Sequence, residues 1–348
     1  MSGSDRTTWE PLPREEVVKA VERKGPARVP LSFAKWWGEG LHEQYGERLG
    51  EFDRFCEDTA FICTEPLDIN RMGLSWEVQP GAGHDSNVLI DDWAKLDEFI
   101  EKMPNPDDDD EPFQIAAQMA EECRQRDLYV QGGWWGFFFE KPWSLRGMQN
   151  LLLDYYAEPE NIHRLHDALA TLYCRTLRRI VRDIRPDGFW TSDDLGHQTQ
   201  LMMSPDMFRE LLKPYYERIG QTLEELGMHW WLHSCGNNTE ILGDLADAGV
   251  DVFHPVQKHT MDEAAVAEAH GDRLTFLAGV DVQHALQEKD PDGVRQEVRA
   301  LIDTFDRPDG GMCLAAGNGI VSGTPLENIE AYLDEALRYG QAHRAGFA

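Results

Sequence analysis

The feature that most constrains the fold is an alternation of short apolar runs with long amphipathic segments. The segments between the runs repeat apolar residues at the spacing of a helix, and the runs have the length of buried strands. Strands that alternate with helices predict a parallel sheet, and eight of them suit a closed (β/α)8 barrel of the TIM type. The eight predicted strands are 28–34, 60–65, 128–133, 188–192, 228–234, 250–255, 274–279 and 312–316.

One stretch departs from this alternation. Residues 72–90 predict a hairpin excursion after the second strand, and residues 104–112 predict an exposed loop. That loop contains four consecutive aspartates, and a run of like charges favours a solvated turn over a metal site. No internal repeat or low-complexity linker divides the chain, so we expect a single α/β domain over residues 1–348. An open doubly wound sheet is the alternative, weakened because no GxGxxG follows an early strand.

The charge balance excludes two classes of partner. The chain has 63 acidic and 33 basic residues, a net charge of −30 at pH 7. Nucleic acids and anionic membranes both require a basic surface, so neither is expected as a partner. The first residues lack the apolar core of a signal peptide, and the six cysteines form no CxxC motif. Together these features predict a cytoplasmic protein with reduced thiols and a small-molecule substrate.

Polar and reactive side chains follow most of the predicted strands. In a parallel barrel the carboxyl ends of the strands meet at one mouth, where active sites lie. This distribution therefore predicts an enzyme. The residues concerned are Glu65 and Asp68 after the second strand; Asp193, Asp194, His197 and Gln198 after the fourth; His233 and Cys235 at the fifth; His254 and Gln257 at the sixth; Asp281 after the seventh; and Asn318 after the eighth.

The sharpest local signal is His233-Ser-Cys235-Gly at the end of the fifth strand. Side chains two residues apart on a strand share a face, and an imidazole beside a thiolate is a good zinc-ligand pair. Zinc needs a third protein ligand, and no residue nearby in the sequence supplies one. The alternative interpretation is a satisfied histidine beside an inert cysteine.

Aromatic residues follow the third predicted strand. Trp134 and Trp135 begin the run, which continues to Phe139. Such a run either packs as a lid or core, or forms an apolar wall for a substrate or a flat cofactor. Both interpretations remain open from the sequence.

Several motifs together resemble the uroporphyrinogen decarboxylase superfamily, which also contains zinc-dependent methyltransferases that take methyl groups from methylated corrinoid proteins. The resemblance covers nearly the whole chain and implies a distorted (β/α)8 barrel, commonly a homodimer in the decarboxylases. The motifs are Arg28-Val29-Pro30, Trp143–Met148, Asp193–Thr199, Ser204–Phe208, Leu232–Asn237, Gly279–Asp281 and Thr324–Ile329.

The sequence departs from the decarboxylase branch. That branch carries an arginine-rich clamp for substrate carboxylates after the first strand, whereas this chain has residues 32–38 without an arginine. The catalytic aspartate of the branch falls where Glu65 and Asp68 lie, and its histidine aligns with Asn318. A substrate with many carboxylates needs cationic partners, so the resemblance does not imply uroporphyrinogen decarboxylation here.

The methyltransferase branch binds zinc through His-x-Cys, which His233 and Cys235 match. Gln257 and Asn318 fall where a glutamate and a cysteine are expected, so the resemblance implies a weak or variant zinc site. The third ligand is left open among His254, Gln257 and Asn318, with His197 and Asp281 as further options.

The resemblance favours a methyltransferase that moves a methyl group between a methylcorrinoid and a thiol or other small acceptor, with a corrinoid protein as a partner. The alternatives are a decarboxylase of a less anionic substrate and a non-catalytic barrel that binds a corrinoid or tetrapyrrole. The implied catalytic residues are Glu65, Asp193, Asp194, His233, Cys235 and Asp281; the implied cofactor-binding residues are Trp134, Trp135, His197, Gln198 and Asn318.

Overall fold

Strands and helices alternate along the chain in the computed structural model, which describes residues 8–69, 72–74, 88–108 and 110–347. Within those ranges there are seven strands. They are β1 (Thr59–Cys63), β2 (Tyr129–Trp134), β3 (Gly188–Ser192), β4 (His229–His233), β5 (Val252–His254), β6 (Thr275–Val280) and β7 (Met312–Ala316).

Fourteen α-helices lie in the same ranges, together with 3₁₀ turns at Gly46–Arg54, Trp93–Lys95 and Thr239–Ile241. None of the helices in the described part of the chain is long and apolar enough to cross a membrane. The helices are α1 (Arg14–Val21), α2 (Leu41–Tyr45), α3 (Leu96–Glu101), α4 (Glu111–Gln125), α5 (Glu140–Arg146), α6 (Met148–Ala157), α7 (Pro159–Asp183), α8 (Pro205–Leu211), α9 (Lys213–Leu226), α10 (Leu242–Asp247), α11 (Glu263–His270), α12 (Ala285–Glu288), α13 (Pro291–Phe305) and α14 (Leu326–Ala345).

The chain forms two compact units, and the first contains Phe61–Glu122 and Val130–Val250. In it, β2, β3 and β4 pair in parallel and in chain order. Every residue of β3 is buried, as expected for a parallel strand covered on both faces. The long amphipathic helix α7 buries one apolar face and packs against α9. This unit contains the ends of β3 and β4, where several predicted site residues lie.

The second unit contains Met1–Ala60, Cys123–Tyr129 and Asp251–Ala348. Here β5, β6 and β7 also pair in parallel and in chain order. The parallel α/β architecture predicted from the sequence is therefore observed within each unit.

The predicted strand at 28–34 is wrong in its extent. Only Leu31 forms an isolated parallel bridge, to Leu314 of β7. The segment still makes ladder-type hydrogen bonds, because Ser32 N donates to Leu314 O (3.1 Å). A longer strand is interrupted because Pro30 has no amide hydrogen and Phe33 has a φ of 53°, far from an extended conformation.

The predicted excursion at 72–90 falls mostly outside the described residues. The acidic loop that follows is described except for residue 109, and it is not merely solvated. Asp110 forms an ion pair with the buried Arg179 of α7, and Asp107 lies 3.4 Å from Arg182. These ion pairs hold the loop against α7.

A buried carboxylate holds the start of α5. Asp193, directly after β3, accepts hydrogen bonds from the backbone amides of Phe138 (3.1 Å), Phe139 (2.9 Å) and Glu140 (2.7 Å). The Tyr216 hydroxyl donates a further bond of 2.6 Å. Burial raises the pKa of Asp193 to about 7, while these hydrogen bonds lower it. Asp193 thus fixes the loop between β2 and α5 to the end of β3.

We predict that Asp193→Asn lowers the free energy of unfolding by about 2–3 kcal/mol, because the amide nitrogen is a donor and leaves buried donors without an acceptor. Denaturant titration measures the change. The matched control is Asp290→Asn at the exposed N-terminus of α13, where asparagine caps as well as aspartate. A change at Asp193 as small as that of the control would contradict the prediction.

Candidate metal centre

The register between two neighbouring strands brings three ligand-type side chains together. Ser192 of β3 pairs with His233 of β4, so Asp194 and Cys235 each lie two residues beyond the same rung of the ladder. The ligand atoms of Asp194, His233 and Cys235 all lie within 4.8 Å of one another. Sequence spacing identified the histidine and cysteine, and the structure adds the carboxylate from the adjacent strand.

The two distances from His233 to the other ligand atoms match those of a tetrahedral zinc site. His233 Nε2 lies 3.4 Å from Cys235 Sγ and 3.5 Å from Asp194 Oδ1. Zinc bonds of about 2.0–2.3 Å hold tetrahedral ligand atoms about 3.3–3.8 Å apart. Nitrogen, sulfur and carboxylate oxygen are all common zinc ligands in proteins. The donor set and its spacing therefore fit zinc.

The imidazole is prepared to act as a ligand. His233 is buried, and burial lowers its pKa despite the opposing effect of the Asp194 carboxylate. A neutral ring at neutral pH keeps a lone pair for a metal. The rings of Trp135 and Trp190 lie beside it, with centroids 6.2 Å from the imidazole in both cases. The aromatic side chains fix its orientation and exclude water from one side.

Two glycines set the approach of the ligand-bearing loops. A Cβ atom on Gly236 would lie 2.3 Å from the backbone of Gly196, and Gly236 has a φ of 81°. Cys235 N donates to Asp194 Oδ1 (2.8 Å), which couples the loops further. The backbones therefore touch at a distance that only glycine allows.

The buried side-chain amide of Asn238 stabilises the loop that follows β4. Asn238 donates from its side chain to the carbonyl oxygens of Ser234 (3.1 Å) and Cys235 (3.1 Å). Ser234 Oγ in turn donates to Asn238 Oδ1 (3.1 Å) and accepts from Leu195 N (3.0 Å). Asn238 lies two residues after the His-Ser-Cys-Gly motif, and its role was not predicted from the sequence.

Glu140 is a further group that the sequence analysis missed. Its carboxylate accepts a hydrogen bond from Ser192 Oγ. Burial, followed by the charges of Asp194 and Asp193, raises the pKa of Glu140 to about 8, so the group is mainly protonated at neutral pH. The available signal was its position, because it directly follows the aromatic run after β2.

The two tryptophans of that run have different surroundings. Trp134 is completely buried and packs on Tyr173 and Phe189, so it offers no surface to a cofactor in this structure. Trp135 is 36% exposed and lies beside His233. Trp134 is the last residue of β2, whereas Trp135 lies just beyond the strand, in the loop that leads to α5.

The other predicted site residues of this unit are not members of the ligand cluster. His197 and Gln198 are exposed on a loop closed by a bridge between Gly196 and Leu201. Glu65 pairs with Lys141 at 3.3 Å and lines a separate cavity. Asp193 is occupied as the anchor of α5.

Four predicted residues belong to the other unit. His254 is buried and its Nε2 lies 3.0 Å from the carbonyl oxygen of Ala316. Asp281 accepts from Gln283 N (2.9 Å), and its carboxylate lies 3.7 Å from His259. Asn318 Oδ1 accepts from Gly319 N (2.7 Å). Gln257 is partly exposed. Their meeting with His233 at one mouth stays a prediction.

Asp194 is a third ligand-type side chain beside His233 and Cys235 that the sequence analysis did not consider as a ligand. His254, Gln257 and Asn318 stay predictions for that role. Asp194 is separated from Cys235 by 41 positions, and only the pairing of β3 with β4 brings them together.

Curated proteins to which this chain is similar are named as methyltransferases. The methylcobamide:CoM methyltransferase MtaA of Methanosarcina barkeri is 30% identical over 131 residues, 37% of this chain and 36% of that protein. The methylated-thiol–coenzyme M methyltransferase of Methanosarcina mazei is 23% identical over 189 residues, 54% of this chain and 48% of that protein. The matched part thus spans between about a third and a half of these relatives.

The fold has a solved counterpart. A methyltransferase from Methanosarcina mazei superposes with a TM-score of 0.69 at 18% identity, covering 94% of this chain and 98% of that one. This likeness shows a shared fold, while closure into an eight-stranded barrel stays a prediction. The model of the family described as uroporphyrinogen decarboxylase (URO-D) matches residues 100–339. Because that match covers more than half of the sequence, the chain belongs to the uroporphyrinogen decarboxylase (URO-D) family.

Proposed function

We propose that this protein is a methyltransferase that moves a methyl group between a methylcorrinoid and a thiol or another small acceptor. The observation that carries the proposal is the cluster of Asp194, His233 and Cys235, whose ligand atoms lie within 4.8 Å of one another, with His233 at 3.4 and 3.5 Å from the other two. The curated relatives are named as methyltransferases, which supports the same class of reaction.

Each residue of the cluster has a distinct part. His233 contributes a neutral nitrogen, Cys235 a sulfur and Asp194 a charged oxygen, and three protein ligands leave one position open for an acceptor. A bound zinc ion would lower the pKa of an acceptor thiol and keep it as the nucleophilic thiolate. In the proposed reaction the acceptor sulfur would form a bond to the methyl carbon, and the cobalt–carbon bond of the methylcorrinoid would break with its electron pair remaining on cobalt.

Neighbouring groups shape the site around this reaction. Glu140 is mainly uncharged at neutral pH, so it adds little negative charge beside Asp194. Trp135 provides an exposed apolar surface next to His233, suited to the methyl group or the face of a corrinoid. His197 and Gln198 offer polar contacts from the adjacent loop. We propose that Asp281 and Asn318 also take part in the reaction. We propose further that the protein acts with a corrinoid protein and as a homodimer.

We predict that protein purified without chelator contains about one zinc ion per chain. His233→Ala, Cys235→Ser and Asp194→Ala should each lose most of it, because two protein ligands hold zinc poorly. Elemental analysis measures the content, and Cys123→Ser is the matched control at a partly exposed cysteine outside the cluster. Zinc retained in all three cluster variants would exclude these ligands.

We further predict that the protein demethylates methylcobalamin when a small thiol is supplied. The rate should fall in Cys235→Ser by more than the roughly 10–100-fold that loss of an outer-shell partner costs at a metal site. The change in the cobalamin absorption spectrum follows the reaction. A cobalamin spectrum that shifts on binding, with no turnover under any thiol, would favour a non-catalytic binding protein.

Uroporphyrinogen should not be decarboxylated at an enzymatic rate. Residues 32–38 contain no arginine, and the preceding Arg28 is buried in a salt bridge with Asp58 (2.6 Å). No arginine clamp is therefore available in this segment for the substrate carboxylates. An anaerobic assay run beside an authentic decarboxylase tests this, and porphyrins with fewer carboxylates appearing at comparable rates would show that the chain is a decarboxylase.

A further inference from the structure

The hydroxyl of Ser192 lies beside the metal cluster but is not one of its ligand groups. Ser192 is the last residue of β3 and pairs in register with His233 of β4. Residues paired across neighbouring parallel strands point to the same face of the sheet, so Ser192 shares the face of His233. Ser192 is buried, and a buried hydroxyl is costly unless it makes hydrogen bonds.

The hydrogen bonds of this hydroxyl reach the loop between β2 and α5. Ser192 Oγ accepts from the backbone N–H of Gly136 (3.0 Å) and donates to the Glu140 carboxylate. That N–H belongs to the peptide unit that joins Trp135 to Gly136. The hydroxyl therefore holds the backbone directly at Trp135, whereas Asp193 binds amides of the same loop that lie nearer to α5.

The backbone needs this restraint because of Gly136. Its φ of 80° lies in the left-handed region, where glycine is unstrained and retains a wide choice of conformations. The partly exposed Trp135 ring lies 5.9 Å from Trp190 and 6.2 Å from His233, measured between ring centroids. Loss of the fixed peptide at Gly136 would let the Trp135 ring turn away from the imidazole.

We propose that Ser192 is a positioning residue, whose hydroxyl holds the Trp135 ring against His233 at the metal cluster. This proposal rests on the proposed methyl transfer, in which Trp135 supplies the apolar surface for the methyl group or the corrinoid face. Because Ser192 acts through Trp135, its loss should weaken binding of the methylcorrinoid more than it slows the transfer at saturation.

Acrylamide quenching of tryptophan fluorescence tests the position of the ring without metal or corrinoid. The contribution of Trp135 is the difference between each protein and the same protein carrying Trp135→Phe. In Ser192→Ala this contribution should be quenched more strongly, by up to about threefold for a ring that starts 36% exposed. Ser192→Thr keeps the hydroxyl and should restore the original quenching.

Thr191→Val is the matched control on the same strand. Thr191 is completely buried and points to the opposite face from Ser192, and its hydroxyl has no hydrogen-bond partner among the residues that the structure describes. Valine has nearly the same shape, so this variant should leave the quenching of Trp135 and the kinetics unchanged. The control separates loss of the Ser192 hydrogen bonds from a general change in β3.

Kinetics with methylcobalamin and a small thiol test the consequence for the reaction. Ser192→Ala should raise KM for methylcobalamin by about five- to tenfold, the worth of one buried hydrogen bond, with kcat within about twofold. In a Trp135→Ala background the same substitution should change KM by less than about twofold, because the ring through which Ser192 acts is gone.

Unchanged quenching of Trp135 in Ser192→Ala would overturn the proposal, as would a KM effect that persists in full without Trp135. Zinc content should stay at the wild-type level, and loss of zinc in Ser192→Ala would overturn the proposal by assigning the hydroxyl to the cluster itself. Failure of the proposed function is recognised separately, as absence of turnover in the wild-type protein, because the quenching measurement requires no turnover.

Discussion

Two backbone segments that lie closer together than any side chain would permit hold the candidate metal centre in shape. Gly196 follows β3 and Gly236 follows β4, and each occupies the space where the Cβ of the other would be. The parallel register of the strands places Asp194 and Cys235 at the same height, and the glycine contact then draws their loops together. The spacing of the three ligand atoms follows from these two constraints, and the amide of Asn238 preserves it on one side.

Adjacent aspartates have opposite environments at this point. Asp193 is completely buried and receives amide and hydroxyl hydrogen bonds, whereas Asp194 is partly exposed and borders His233. A buried carboxylate is costly to desolvate unless donors surround it, which makes the amides of Phe138, Phe139 and Glu140 necessary partners of Asp193. Because these hydrogen bonds occupy Asp193, Asp194 is the carboxylate of the pair that is available for chemistry. Asp193 therefore supports the structure around the site, whereas Asp194 borders its ligand atoms.

Much of the fold was predictable, because buried parallel strands have a continuous apolar pattern. The predicted strands at 188–192 and 312–316 agree with β3 and β7. The segment at 28–34 was misjudged because its pattern does not reveal the positive φ of Phe33. His233 and Cys235 were identifiable from alternation along one strand. The position of Asp194 beside them was not identifiable, because that contact depends on the register between two strands. The position of Glu140 was not identifiable either, because it depends on the loop that Asp193 anchors.

The ligand set has a consequence for charge balance. A neutral imidazole, a thiolate and a carboxylate together carry two negative charges, which equal the charge of one divalent zinc ion. The filled site would be electrically neutral in a partly buried setting, where an uncompensated charge is expensive. An acceptor thiolate in the open position would then bring the site to one negative charge. In the proposed reaction, transfer of the methyl group to that sulfur would remove the excess charge, so product formation would restore neutrality and favour release of the methylated acceptor.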